Sequence, residues 1–186
     1  FREYDIRGVV GRDLTSEVVR ELGRGYAAYL LRQGGRRVAL GYDARPSSPG
    51  FRDALAQGMV ESGLEVTDVG LVPTPVLYFS ILHLQLDGGV MITGSHNPPE
   101  FNGFKLSVGP ATIYGEQIQA LRRIIEGQAY VRGEGRLVQR DVLPAYLQAV
   151  KERVGQFARP LKVVVDAGNG TGAMTGPRLL RELGAD

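Results

Sequence analysis

Apolar positions recur along this chain with two periods, and the switches between them fall at glycine and proline. Residues 1–10 read as a strand and loop. After Asp13, Thr15 or Ser16, any of which can cap a helix, Val18, Val19, Leu22, Tyr26 and Leu30 recur at helical spacing until Gly34-Gly35. Val38-Ala39-Leu40-Gly41 is a short buried strand leading to Asp43 and Arg45. A second helix starts near Pro49 and carries Phe51, Leu55 and Met59 towards Gly63. Leu64 to Gly70 alternates as a strand does, and Pro75 opens a third helix with Val76, Leu77, Ile81 and Leu84 apolar. Behind Gly88-Gly89, Val90-Met91-Ile92 is a buried strand. Gly94 allows a sharp turn through positive φ, Asn102-Gly103 is a second turn signal, and Phe104-Lys105-Leu106 resumes a strand.

Ile118, Leu121, Ile124 and Ile125 predict a fourth helix ended by Gly127. Residues 127–141 are polar and glycine-bearing, a linker with room for one edge strand. Pro144 opens a fifth helix with Leu147, Val150, Val154 and Phe157 on one side. Leu161 to Asp166 reads as a strongly buried strand, followed by a glycine loop at 168–172 and a short helix from Pro177 to Leu183. Alternating strands and helices predict an α/β fold, a three-layer α/β/α sandwich. The link from the Ser95 loop to the next strand is too short for a crossover, so the sheet is mixed. Residues 1–140 form one domain, and 141–186 form the first βα unit of a second, similar domain, truncated. One such unit cannot bury its own apolar faces. The Gly-x-Gly-x-Gly loop has Thr175 where a dinucleotide fingerprint needs a third glycine, and reads as a tight turn.

Composition narrows the class. Of 186 residues, 43% are apolar and 23% charged, and the net charge is +2. The arginines alternate with acids and form no stripe, which argues against nucleic acid. There is no cysteine, and no apolar run approaches membrane-spanning length. No signal-peptide pattern opens the chain, so a cytoplasmic enzyme domain is the expectation.

The candidate chemistry centres on Ser95, on a stiff loop at the carboxyl end of a buried strand, where open α/β sheets bind ligands. Ser95 and His96 are neighbours, which suggests a hydrolase nucleophile. Side chains of adjacent extended residues point opposite ways, however, and Thr93 and Asn97 stand where a nucleophile elbow has glycines. A serine carrying a phosphoryl group fits better. It needs nearby cations, and Lys105, His96 and Arg7 are candidates.

Thr93-Gly94-Ser95-His96-Asn97-Pro98-Pro99, with Asn102-Gly103-Phe104-Lys105 behind it, resembles the active-site loop of the α-D-phosphohexomutases. Tyr4 to Gly11, Gly41 to Ser48 and Gly70 to Pro75 resemble further segments of that superfamily, in family order. The resemblance is closest to its bacterial phosphomannomutase/phosphoglucomutase branch. It implies an intramolecular phosphotransferase that interconverts hexose 1-phosphate and hexose 6-phosphate (mannose or glucose) through phospho-Ser95 and a bisphosphorylated sugar. Phosphoglucosamine mutase and a non-catalytic phosphosugar-binding module are the alternatives.

The implied cofactor is Mg²⁺, bound to Ser95 through its phosphate oxygen, with carboxylate ligands outside this chain. The implied partners are a phosphorylated hexose and the remaining domains of the same enzyme, with no nucleic acid and no membrane. Catalytic roles fall to Ser95, His96 and Lys105, and substrate binding to Tyr4, Arg7 and Lys105. Each has a plainer reading: a solvated strand lysine for Lys105, surface ion pairing for Arg7, core packing with a wet hydroxyl for Tyr4, and a structural histidine for His96. His83 reads as packing, and Asp43 with Arg45 as a pair bracing the loops. The segment by itself is expected to be inactive.

Overall fold

In the computed structural model, which describes residues 1–186, seven strands form one sheet. In chain order the elements are β1 (Ile6–Val9), α1 (Ser16–Leu31), β2 (Arg37–Tyr42), α2 (Ser48–Glu61), β3 (Glu65–Leu71), α3 (Thr74–His83) and β4 (Gly88–Ile92). They continue with β5 (Phe101–Val108), β6 (Ala111–Thr112), α4 (Glu116–Glu126), β7 (Arg136–Gln139), α5 (Leu143–Val154) and α6 (Gly176–Glu182). The strand order is β1-β5-β4-β2-β3-β7, with the short β6 on β5. The pairs β2–β4, β2–β3 and β3–β7 are parallel, whereas β5 runs antiparallel to β1, β4 and β6. The sheet is mixed, as the short connection requires.

The pleat sorts the core into two layers. Val38 and Leu40 of β2, Val90 and Ile92 of β4, and Phe104 and Leu106 of β5 join α1, α2 and α4 in one apolar cluster. Ala39 and Met91 point the other way, into a cluster with Val76, Leu77 and Ile81 of α3 and Val142 at the head of α5. Helices therefore cover both faces, and the layers are α/β/α. Thr15 caps α1, its hydroxyl accepting from Val18 N at 3.3 Å. The α1 and α2 backbones touch: a Cβ on Gly58 would lie 2.1 Å from Arg20 O, and one on Gly23 2.4 Å from Leu55 O. Val18, on the other side of α1, is 47% exposed.

Three sequence expectations fail for physical reasons. Asn102 and Gly103 are not a turn but part of β5, paired with Gly8 and Arg7 of β1. Gly103 is required by proximity, because a Cβ there would meet Ile6 O at 2.7 Å. Residues 161–166 are not a buried strand: only a single parallel bridge joins Leu161 to Ala185, and Val164 is 98% exposed. The run has β propensity but no sheet to enter, and one βα unit buries neither of its faces. On α5 only Leu147 is buried, Val154 is exposed, and Phe157 lies past the helix end.

Candidate active site

The loop joining β4 to β5, residues 93–100, is clasped by side chains that leave the end of β2. Arg45 Nη1 donates to Pro98 O at 2.7 Å and Phe101 O at 2.8 Å. Its Nη2 donates to Asn97 O at 2.6 Å and Ser95 O at 3.2 Å. Asp43 orients this guanidinium, with Arg45 Nε 3.4 Å from its Oδ2. The same carboxylate accepts from Arg45 N, Ser48 Oγ and Gly94 N, so all its acceptor directions point inward. Asn102 ties the far end: its Nδ2 donates to Ser47 Oγ at 2.8 Å and Ser48 Oγ at 3.0 Å. The pairing of Asp43 with Arg45 is present and does brace the loop.

On this frame Ser95 takes φ +53°, the left-handed region, which is unfavourable for a residue with a Cβ by about 1–2 kcal/mol. Gly94, expected to carry the positive φ, does not. It is glycine because a Cβ would sit 2.3 Å from Arg45 Cζ. The departure from extended backbone at Ser95 also reverses the expectation for His96. Instead of pointing away, the imidazole Nδ1 lies 3.2 Å from Ser95 Oγ, and both residues are exposed. No carboxylate hydrogen-bonds the imidazole, so the third member of a nucleophilic triad is missing.

One strand over, the register sets Arg7 opposite Gly103, and Thr93 N donates to Gly103 O at 2.9 Å. Asp5, two residues before Arg7, bridges the cations: it accepts from Arg7 Nε at 2.9 Å and from Nη2, and lies 3.9 Å from Lys105 Nζ. Its hydrogen bonds hold the Arg7 guanidinium pKa above its usual value. Lys105 pairs with Met91 in register and so faces the α3 side of the sheet. There α3 packs on β2 and β4, which leaves the β1–β5 end open. The structure thus gathers Arg7 and Lys105 around a buried acid that sequence reasoning passed over. The signal was present, since Asp5 and Arg7 are two apart on a strand and share a face. Tyr4 is not core: it is 66% exposed, its ring centroid 6.3 Å from that of Tyr114. His83 is exposed and stacks on Phe79 at 4.8 Å.

The donor set does not by itself suit Mg²⁺. No three acidic or histidine side chains gather to hold a metal, and the carboxylate behind the loop, Asp43, is committed to Arg45, Ser48 and Gly94. Ser95 stands on an open surface. A concavity of about 1120 Å³ lies elsewhere, between α1, the end of α2 and residues 128–134.

Residues 1–132 match the family model described as phosphoglucomutase/phosphomannomutase, alpha/beta/alpha domain I. The chain is 47% identical over 184 residues to a phosphomannomutase/phosphoglucomutase of Pseudomonas aeruginosa, covering 99% of this chain and 40% of that protein. It is 41% identical over 186 residues to a phosphoglucomutase of Neisseria gonorrhoeae, again covering 40% of the relative. The crystal structure of a phosphoglucomutase/phosphomannomutase family protein from Burkholderia thailandensis superposes with TM-score 0.94 at 41% identity. That match covers 100% of this chain and 42% of the other. The chain thus spans about 40% of the length of these relatives.

Proposed function

Because the chain belongs to the phosphoglucomutase/phosphomannomutase family, we propose that it supplies the phosphoserine loop of a longer enzyme that interconverts hexose 1-phosphate and hexose 6-phosphate. The observation that carries this reading is Ser95: an exposed hydroxyl on a braced loop, with an imidazole nitrogen 3.2 Å away. Lys105 lies on β5, which the loop enters, and Arg7 on the neighbouring β1, and both suit the phosphate of a phosphorylated hexose, mannose or glucose.

Phosphoryl transfer asks the protein mainly for positioning and charge. In the first step the bond between phosphorus and Ser95 Oγ breaks, and the phosphoryl group bonds to the free hydroxyl of the hexose phosphate. That hydroxyl's proton ends on Ser95 Oγ. In the second step Ser95 Oγ takes the phosphoryl group from the other position of the bisphosphorylated sugar, and its proton passes to the sugar oxygen that loses that group. His96 Nδ1, 3.2 Å from Ser95 Oγ, is placed to relay the proton. Tyr4 offers an exposed phenol at the rim for the sugar. Asp5 hydrogen-bonds Arg7 and lies 3.9 Å from Lys105 Nζ, so a bound phosphate would compete with it for both cations.

Mg²⁺ is assigned to the whole enzyme, with this chain contributing one phosphate oxygen on Ser95 and the carboxylates coming from other parts of the protein. On the same reading residues 1–140 are the first domain and 141–186 open a second. Helix α5 touches both, packing Val142, Leu143 and Tyr146 beside α3 while Lys151 pairs with Glu182 of α6 at 3.0 Å. No helix is long and apolar enough to cross a membrane, and a phosphorylated sugar substrate suits the cytoplasm.

Intact-mass measurement tests the assignment. The recombinant protein should carry one phosphate that is absent from Ser95→Ala, and full-length protein should turn over hexose phosphate while residues 1–186 alone do not. An unchanged phosphate in the variant would remove Ser95 from the mechanism. Turnover by the 186-residue chain would show the site to be complete without other domains.

A further inference from the structure

The geometry points to Arg45 as the positioning residue of the phosphoserine loop, acting through backbone carbonyls and not through contact with substrate. The inference rests on the phosphotransfer role assigned to Ser95. A guanidinium carries five N–H donors in one plane, and here the two terminal nitrogens meet four carbonyls, those of Ser95, Asn97, Pro98 and Phe101. These acceptors span the loop from its serine to its return into β5. Turning the Ser95 carbonyl inward fits the left-handed backbone at that residue and leaves its side chain exposed.

The clamp is also tightly seated. Arg45 and Asp43 side chains are each 14% exposed, and Gly94 leaves no space for a methyl group beside Cζ. A lysine ammonium, a point donor with three tetrahedral N–H groups, cannot meet four carbonyls in a plane. Arg45 Nη2 lies 3.2 Å from the Ser95 carbonyl oxygen, so the clamp reaches the reacting residue itself.

Two variants of the full-length protein test this by different routes. Arg45→Lys keeps the charge and removes the fork. Gly94→Ala keeps Arg45 and displaces its guanidinium, with no backbone strain because Gly94 φ is not positive. Both should lower kcat about 10- to 100-fold while KM changes by no more than about threefold, the mark of a misplaced reacting group. In both, amide exchange across residues 93–101 should rise about tenfold or more while β4 and α2 stay protected. Exchange at wild-type rates in the loop, or a kcat within about twofold of wild type in both variants, overturns the proposal. If wild-type protein shows neither turnover nor phosphate on Ser95, the phosphotransfer role fails instead, and the exchange measurement still decides whether Arg45 holds the loop.

Discussion

Ser95 keeps a backbone conformation that a residue with a Cβ ordinarily avoids, and it does so because Arg45 and Asp43 hold the surrounding groups in place. Replacing Ser95 by glycine removes the strain along with the nucleophile. We therefore expect Ser95→Gly to melt at or slightly above the wild-type temperature while carrying no phosphate, by thermal unfolding and intact mass. A second residue-scale prediction concerns Glu61, whose carboxylate accepts from Arg20 Nη2 at 2.6 Å and from Arg24 at 2.9 Å. Those bonds, Arg20's first, lower its pKa to about 2. A carboxylate depressed on folding contributes stability above its unfolded pKa, and the contribution is lost as pH falls from about 4.5 towards 2. Glu61→Gln should be less stable than wild type by up to about 1 kcal/mol at neutral pH, the pair being partly exposed. The gap in melting temperature should close over that acidic window. A gap that persisted to pH 2 would mean that the charge is not its source.

Between elements, α1 and α2 approach closely, and glycines let their backbones touch. Gly58→Ala would force a methyl group against Arg20 O, which is main chain and cannot swing away. We expect a loss of about 2–3 kcal/mol, read as a lowered urea midpoint. The same change at Gly50, which has nothing within 4 Å of a Cβ, should be neutral or stabilising. This scale also shows where sequence reading misled. Gly94 and Gly103 read as turn residues in the sequence because glycine is the residue of positive φ, yet both are glycine because another group comes close. Proximity of Arg45 to Gly94, 49 positions apart in the chain, leaves no local trace. His96 was misjudged for a related reason, since its direction follows from φ at Ser95, which a distant guanidinium helps to set.

Over the whole molecule, two apolar clusters pack on either side of the sheet, whereas Val163, Val164 and Val165 stand in the open. Because the chain spans 40% of the length of its Pseudomonas relative, we expect other parts of the full-length protein to bury that run. Val164→Asp should leave the melting temperature of residues 1–186 unchanged. In full-length protein it should cost several kcal/mol, on the scale of an uncompensated buried charge. Equal behaviour in both would leave the valine run without a partner.

What the sequence determined by itself was the alternation of elements, the buried runs of β2 and β4, and the serine loop. Period, turn residues and composition are local, and they act within a few residues of where they are written. Only the tertiary structure decided that Asn102 and Gly103 lie inside β5, that Asp5 joins Arg7 to Lys105, and that Arg45 grips four carbonyls of the Ser95 loop. These are contacts between segments far apart along the chain or across strands. They depend on register and on which backbone groups are left unpaired, quantities that exist only once the sheet has formed.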